Sequence, residues 1–149
     1  MYKKILVAVD GSATSLRGLD EAVRVAKATG GRLMLVHVVN ELIVGDLPAA
    51  GYDRIMVSLR ESGTKVLEDA AARVTRADVP CEQKLIETLG GRPADEIVRE
   101  ARQWLADLIV LGTHGRRGLK RLAMGSDAEL VLRLAPVPVL MVRDQPESP

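Results

Sequence analysis

Cysteine is almost missing. The 149 residues contain one, Cys81, which excludes an intramolecular disulfide, and no Cys/His cluster accompanies it that would hold structural zinc. It follows Pro80 at the start of a polar–apolar alternation, where packing rather than redox chemistry is its expected role. Long apolar runs are also missing: none reaches the roughly 18 residues of a membrane span. The opening "MYKKILVAVDGS" lacks the length and cleavage pattern of a signal peptide. No membrane partner is therefore expected, and residence is expected to be cytoplasmic. Charge of one sign is absent too. Twenty-one Lys and Arg face 20 Asp and Glu, a net charge of +1, which argues against a chain built to coat nucleic acid. Phenylalanine is absent, and the one tryptophan, Trp104, is expected to pack. What remains is 47% hydrophobic and 28% charged, the balance of an ordinary globule, in a length that suits one domain with its own core.

Short Ile/Val-rich runs alternate with helical patterns along the chain. "KILVAVD" (4–10) reads as a strand buried on both faces, ending at the turn dipeptide Asp10-Gly11. Ser12 can cap a helix with Leu16, Leu19, Val23 and Ala26 on one face, and Gly30-Gly31 stops it. "RLMLVHVV" (32–39) is a second buried strand, with His37 as a satisfied core histidine. A connection over 40–51 precedes a helix from about Tyr52 to Ala77. "CEQKLIETL" alternates as an edge strand does. Pro93 suits the first turn of a third helix whose inward stripe is Ala94, Ile97, Val98, Ala101 and Leu105. "DLIVLG" is a fourth strand, Ser126 opens a helix with Leu130, Val131 and Leu134 inward, and "PVPVLMVR" is the last strand. Five strands alternating with four helices specify a single doubly wound α/β domain with a mainly parallel sheet. Pro136 and Pro138 assign the last strand to a sheet edge, yet that edge is apolar enough to need cover. A second copy of the chain is the preferred cover over a loop.

Between the fourth strand and the fourth helix, "LGTHGRRGLKRLAMGSDAE" (111–129) places four glycines and four cations in nineteen positions. In doubly wound sheets, ligands sit beyond the carboxyl ends of strands where the strand order reverses. Gly112 and Gly115 let backbone amides approach a ligand, and Gly125-Ser126 lies at a helix start whose dipole favours an anion. Arg116, Arg117, Lys120 and Arg121 add a cationic field, unless they form only a solvated face. The expected ligand carries phosphate. A Walker A loop is absent, and no Gly-x-Gly-x-x-Gly follows the first strand, which disfavours a P-loop transferase or a dinucleotide site.

The spacing Gly112-x2-Gly115-x9-Gly125-Ser126, together with "KKILVAVDGS" at the start and "APVPVLMVR" at the end, resembles the universal stress protein family from Lys3 to Arg143. The resemblance implies one nucleotide-binding domain over 1–143, followed by a flexible tail over 144–149. It also implies strand order 3-2-1-4-5, a homodimer paired through the last strand (137–142), and membership of the ATP-binding branch. Carried over by position, Asp10, reached through Ala8 and Val9, would meet the adenosine part, and Val38 would offer its backbone to the adenine edge. Gly112, Gly115, Gly125 and Ser126 would cradle ribose and phosphates. Leu111, His114 and Arg116 lie within the same loop motif, Arg116 as a phosphate contact. Asp127 and Ala128 follow Ser126 where that branch often has a small apolar residue and then Ser or Thr. Asp127 suits the helix dipole and is expected to point away from the phosphates; facing one at about 5 Å it would cost ~3 kcal/mol.

The function so implied is a nucleotide-dependent dimeric regulatory module of the stress response, binding ATP with or without magnesium. A slow ATP hydrolase or autophosphorylating protein is the alternative, with Asp10 as a metal-holding carboxylate. It lacks an evident base, because His114 has no Asp or Ser partner at a readable spacing. A dimeric scaffold without nucleotide is the third reading. Asp10 itself has a plain structural role open to it as a turn residue.

Overall fold

The structure of the chain, a computed structural model, describes residues 1–40, 49–88, 90–113 and 125–143. Nine elements alternate: β1 (Lys4–Ala8), α1 (Ala13–Thr29), β2 (Arg32–Asn40), α2 (Ala49–Arg76), β3 (Cys81–Thr88), α3 (Pro93–Trp104), β4 (Leu108–Gly112), α4 (Ser126–Leu134) and β5 (Val139–Val142). The five strands form one sheet in the order β3-β2-β1-β4-β5, and every neighbouring pair is parallel. The strand order reverses at β1, which puts the switch point between β1 and β4.

Alternation along each strand divides the core between the two faces. Ile5, Val7, Leu33, Leu35, Leu108 and Val110 pack on one face against Leu19, Ala22, Leu67 and Val74 of α1 and α2. Leu6, Met34, Val36, Ile109 and Leu111 pack on the other against Ile97, Val98 and Ala101 of α3 and Ala128 and Val131 of α4. The central strands are therefore apolar at consecutive positions, as the continuous Ile/Val runs predict. Cys81 is half-buried against the first cluster, and burial pushes its thiol pKa up, in keeping with a packing role. No helix among the described residues is long and apolar enough to cross a membrane.

Several boundaries differ from the sequence reading. β1 ends at Ala8 rather than Asp10, although the Val9 amide still donates to the Val36 carbonyl at 2.9 Å. α2 begins at Ala49, inside the segment read as a connection; Gly51 falls in its first turn, where a poor helix former is tolerated. β5 is confined to Val139–Val142 because Pro136 and Pro138 have no amide to donate, while the Pro138 carbonyl still accepts from Ile109 at 3.0 Å. Leu134 is exposed rather than inward, and Leu130 is half-buried, so Ala128 and Val131 carry the contact of α4.

Leu105 is the clearest correction. α3 stops at Trp104, and Leu105 caps it in the left-handed region at φ 61°, its amide donating to Ala101 and Arg102 carbonyls. That turn swings the side chain into water, 74% exposed, off the stripe to which periodicity assigned it. Glycine is preferred at such a cap because it lacks the Cβ that makes this conformation costly. Leu105→Gly is expected to raise stability by about 0.5–1 kcal/mol, read as a higher urea midpoint at unchanged slope. Trp104 packs as expected, half-buried. Its Nε1 donates to Glu82 at 2.9 Å, and Lys4 stands 4.8 Å and Arg32 5.6 Å from the ring centroid.

The two sheet edges differ. β3 is edged by Glu82, Lys84 and Glu87, charges that discourage further strand pairing. β5 presents Val139, Leu140, Met141 and Val142, all half-buried, with no charge among them.

Candidate functional site

At the carboxyl end of β1 the chain is pinned before it turns. The His37 ring holds Nδ1 2.8 Å from the Val9 carbonyl; a carbonyl can only accept, so Nδ1 carries the proton. His37 is thus the satisfied histidine that the sequence suggests. Gly11, at φ 82°, lets the chain reverse, and the Asp10 carboxylate accepts from the Ser12 amide at 2.8 Å. Ser12 caps α1 by accepting from the Ser15 amide at 3.2 Å, and the Ser15 hydroxyl accepts from the Asp10 amide at 3.3 Å. Asp10 therefore performs its turn role while standing half-buried at the edge of the switch point.

Backbone alternation orients β2. Arg32 donates to Lys3 and Val36 accepts from Val9, so the even-numbered residues of this strand direct their polar groups toward β1. Val38 continues that series, and its N–H and C=O are aimed past the point where β1 leaves the ladder. Ala8 and Leu111 pack their side chains into the second core cluster near the carboxyl ends of β1 and β4.

Gly112 has a packing reason for its missing side chain that the sequence does not show. A Cβ there would lie 2.8 Å from the Thr14 carbonyl carbon and 3.0 Å from the Ser15 amide. The space is taken by the first turn of α1, so helix–strand packing itself requires glycine there. Beyond it, Thr113 donates to Val142 at 2.9 Å and accepts from Gly125 at 2.7 Å. That second bond brings the two ends of the glycine motif together. His114, Gly115, Arg116, Arg117, Lys120 and Arg121 lie outside the described residues.

Gly125 is the N-cap of α4 and contributes no side chain to it, so Ser126 is the first helical residue rather than the cap. The first intrahelical bond runs from the Glu129 amide to the Gly125 carbonyl at 3.0 Å, leaving the amides of Ser126, Asp127 and Ala128 at the helix tip without partners inside the helix. The Ala128 methyl is buried in the second core cluster, turned inward. Asp127 is exposed and lines a cleft of about 480 Å³ with Ser126, Glu129, Leu130 and Arg133. The opposite wall is Asn40 at the end of β2 and Gly91, Arg92 and Pro93 at the start of α3.

The start of α3 and the flank of α4 from Ser126 to Arg133 thus border one cleft, and helix starts favour anions. Thr88, buried at the end of β3, positions the α3 start by accepting from the Gly91 amide at 3.1 Å. Arg92 pairs with Asp95 at 3.1 Å, and Arg133 approaches Glu129 at 3.9 Å. The sequence reading missed Asn40, Arg92 and Arg133. The available signal was "GGRP" (90–93): a glycine turn and an N1 proline after a strand mark a second helix start, and a doubly wound fold gathers every helix start on the carboxyl edge. Among the described residues, no three His, Cys, Asp or Glu side chains gather to hold a metal ion.

The family model of the universal stress protein family matches residues 1–143. A universal stress protein of Methanocaldococcus jannaschii is 37% identical over 144 residues, spanning 96% of this chain and 83% of its own length. Among solved structures, the universal stress protein of Archaeoglobus fulgidus in complex with dAMP is similar at a TM-score of 0.69 and 28% identity, over 95% of this chain and 98% of that one. A universal stress protein in complex with cAMP is similar at a TM-score of 0.67 and 27% identity, over 95% of this chain and 97% of the other.

Proposed function

Because the chain belongs to the universal stress protein family, we propose that it binds an adenine nucleotide at the carboxyl edge of its sheet and works as a nucleotide-dependent regulatory dimer. The observation that carries this reading is the convergence of two uncapped helix starts, α3 and α4, on one cleft at the end of β2. Unpartnered amides and aligned dipoles at a helix tip favour a phosphate. Relatives of the same fold bind dAMP and cAMP, which supports an adenylate as the ligand class.

In this reading adenine lies beside β1 and β2, where Val38 directs its peptide groups past the end of β1 and Ala8 and Val9 form the wall. Asp10 meets the ribose or the base. The phosphates run along Leu111 and Gly112 to the amides of Gly125, Ser126, Asp127 and Ala128, and His114, Gly115 and Arg116 complete the motif. The resemblance of the loop to the ATP-binding branch of the family favours ATP among the adenine nucleotides. Magnesium accompanying it would be held chiefly by phosphate oxygens and water, since this ion commonly takes only one or two carboxylates from a protein.

The second half of the proposal rests on β5. An uncharged, half-buried apolar edge is an unfavourable surface to leave in water, and pairing residues 137–142 of two copies covers it. Nucleotide would then act by favouring one arrangement of the dimer over another, through different affinities for the two.

Identifying nucleotide released on denaturing the purified protein, followed by titration calorimetry with AMP, ADP and ATP, tests the reading. Bound adenylate or a saturable heat is expected; neither appearing would defeat it. Gly115→Val is expected to abolish the heat while leaving the melting temperature within a few degrees of native.

A further inference from the structure

We infer that Asp127 is a specificity-determining residue that makes the cleft discriminate by ligand charge, penalising metal-free ATP relative to AMP. The inference rests on the adenine-nucleotide reading above. Ser126 and Asp127 are the first two residues of α4, both exposed and both lining the same cleft. An anion held by the amides of that helix tip lies within one turn of the Asp127 carboxylate. The carboxylate already interacts with the dipole that would attract the ligand, so the two compete for one field.

The charges around the cleft sharpen this. Its described lining carries Arg92 and Arg133 against Asp127 and Glu129, two cations and two anions. Both cations stand beside carboxylates of their own helices, Arg92 at Asp95 and Arg133 at Glu129. Asp127 has no ion-pair partner among the described residues. A single phosphate at the helix tip meets this carboxylate once. A metal-free triphosphate brings about two further charges into its field, and at ~10 Å and an effective dielectric near 20 each would cost about tenfold in affinity. Magnesium, by neutralising phosphate oxygens, removes much of that difference.

The test is calorimetry with AMP and ATP, each with chelator and with magnesium, on the full chain in native, Asp127→Asn and Asp127→Glu forms. Asp127→Asn is expected to tighten metal-free ATP about a hundredfold more than it tightens AMP, with magnesium shrinking that difference. Asp127→Glu, which keeps the charge, is expected to keep the native ATP-to-AMP ratio. The basic residues of 114–124 are common to all three proteins, so their contribution cancels in the ratios. If both nucleotides bind and Asp127→Asn leaves their ratio unchanged, the inference is overturned while the nucleotide reading stands. If neither binds the native protein, the nucleotide reading falls and this inference falls with it.

Discussion

Gly112→Val is expected to lower stability by about 3 kcal/mol or more and to lower the melting temperature by roughly 6–12 °C. From local preference alone the opposite would be forecast. Valine suits a buried strand, and removing a glycine reduces the entropy of the unfolded chain, together a gain of about 1 kcal/mol. Packing outweighs this. The added Cβ alone would lie 2.8 Å from the Thr14 carbonyl carbon and 3.0 Å from the Ser15 amide, and both are backbone atoms that cannot rotate aside. The first turn of α1 must lift from β4, carrying with it the Ser12 cap and the turn that holds Asp10. Against a total stability of about 5–15 kcal/mol, that is a large share. Urea denaturation of the variant, with nucleotide binding followed in parallel, should show both falling together. Native stability in the variant would refute the packing account of Gly112.

Gly63→Val is expected to cost about 2 kcal/mol, and here too propensity points the wrong way. A glycine inside a helix normally weakens it by about 1 kcal/mol relative to alanine, so replacement should help. The Cβ at this position, however, would lie 2.7 Å from Cδ2 of His37 and 2.8 Å from Cδ1 of Leu85. The leucine methyl can rotate away. The imidazole cannot do so without losing its bond to the Val9 carbonyl, and a buried carbonyl left without a donor costs about 1–3 kcal/mol. Gly51 supplies the control within the same helix: a Cβ there meets nothing within 4 Å, so Gly51→Ala is expected to stabilise slightly. Thermal melts of the two variants should move in opposite directions, and a stabilising Gly63→Val would contradict the close approach of α2 to His37. Because Val9 adjoins Asp10, weaker nucleotide binding is expected to accompany the loss.

These positions show which parts of the molecule could be read along the chain. The Ile/Val runs announced the strands because burial on both faces demands apolar residues at consecutive positions, and the sheet has them in Leu6, Val7, Ile109 and Val110. Ser12 before α1, Gly30 after it and Pro93 opening α3 were legible because caps are local chemistry. Periodicity places Leu105 inward because it cannot say where a helix ends, and the left-handed cap turns that side chain out; Leu134, the last residue of α4, is exposed as well.

The glycine motif was visible as a pattern, yet the purpose of its first member was not. Gly112 and Thr14 are far apart in sequence, and only the packing of α1 across β4 brings them within contact. The same holds for the cleft. Asn40, Arg92 and Ser126 belong to three separate strand–helix connections, and no spacing along the chain relates them. Local order, helix caps and the alternation of elements follow from near-neighbour forces that a linear reading can evaluate. The gathering of Asn40, Arg92 and Asp127 around one cleft depends on how strands stack side by side, a long-range arrangement set by burial of the whole core.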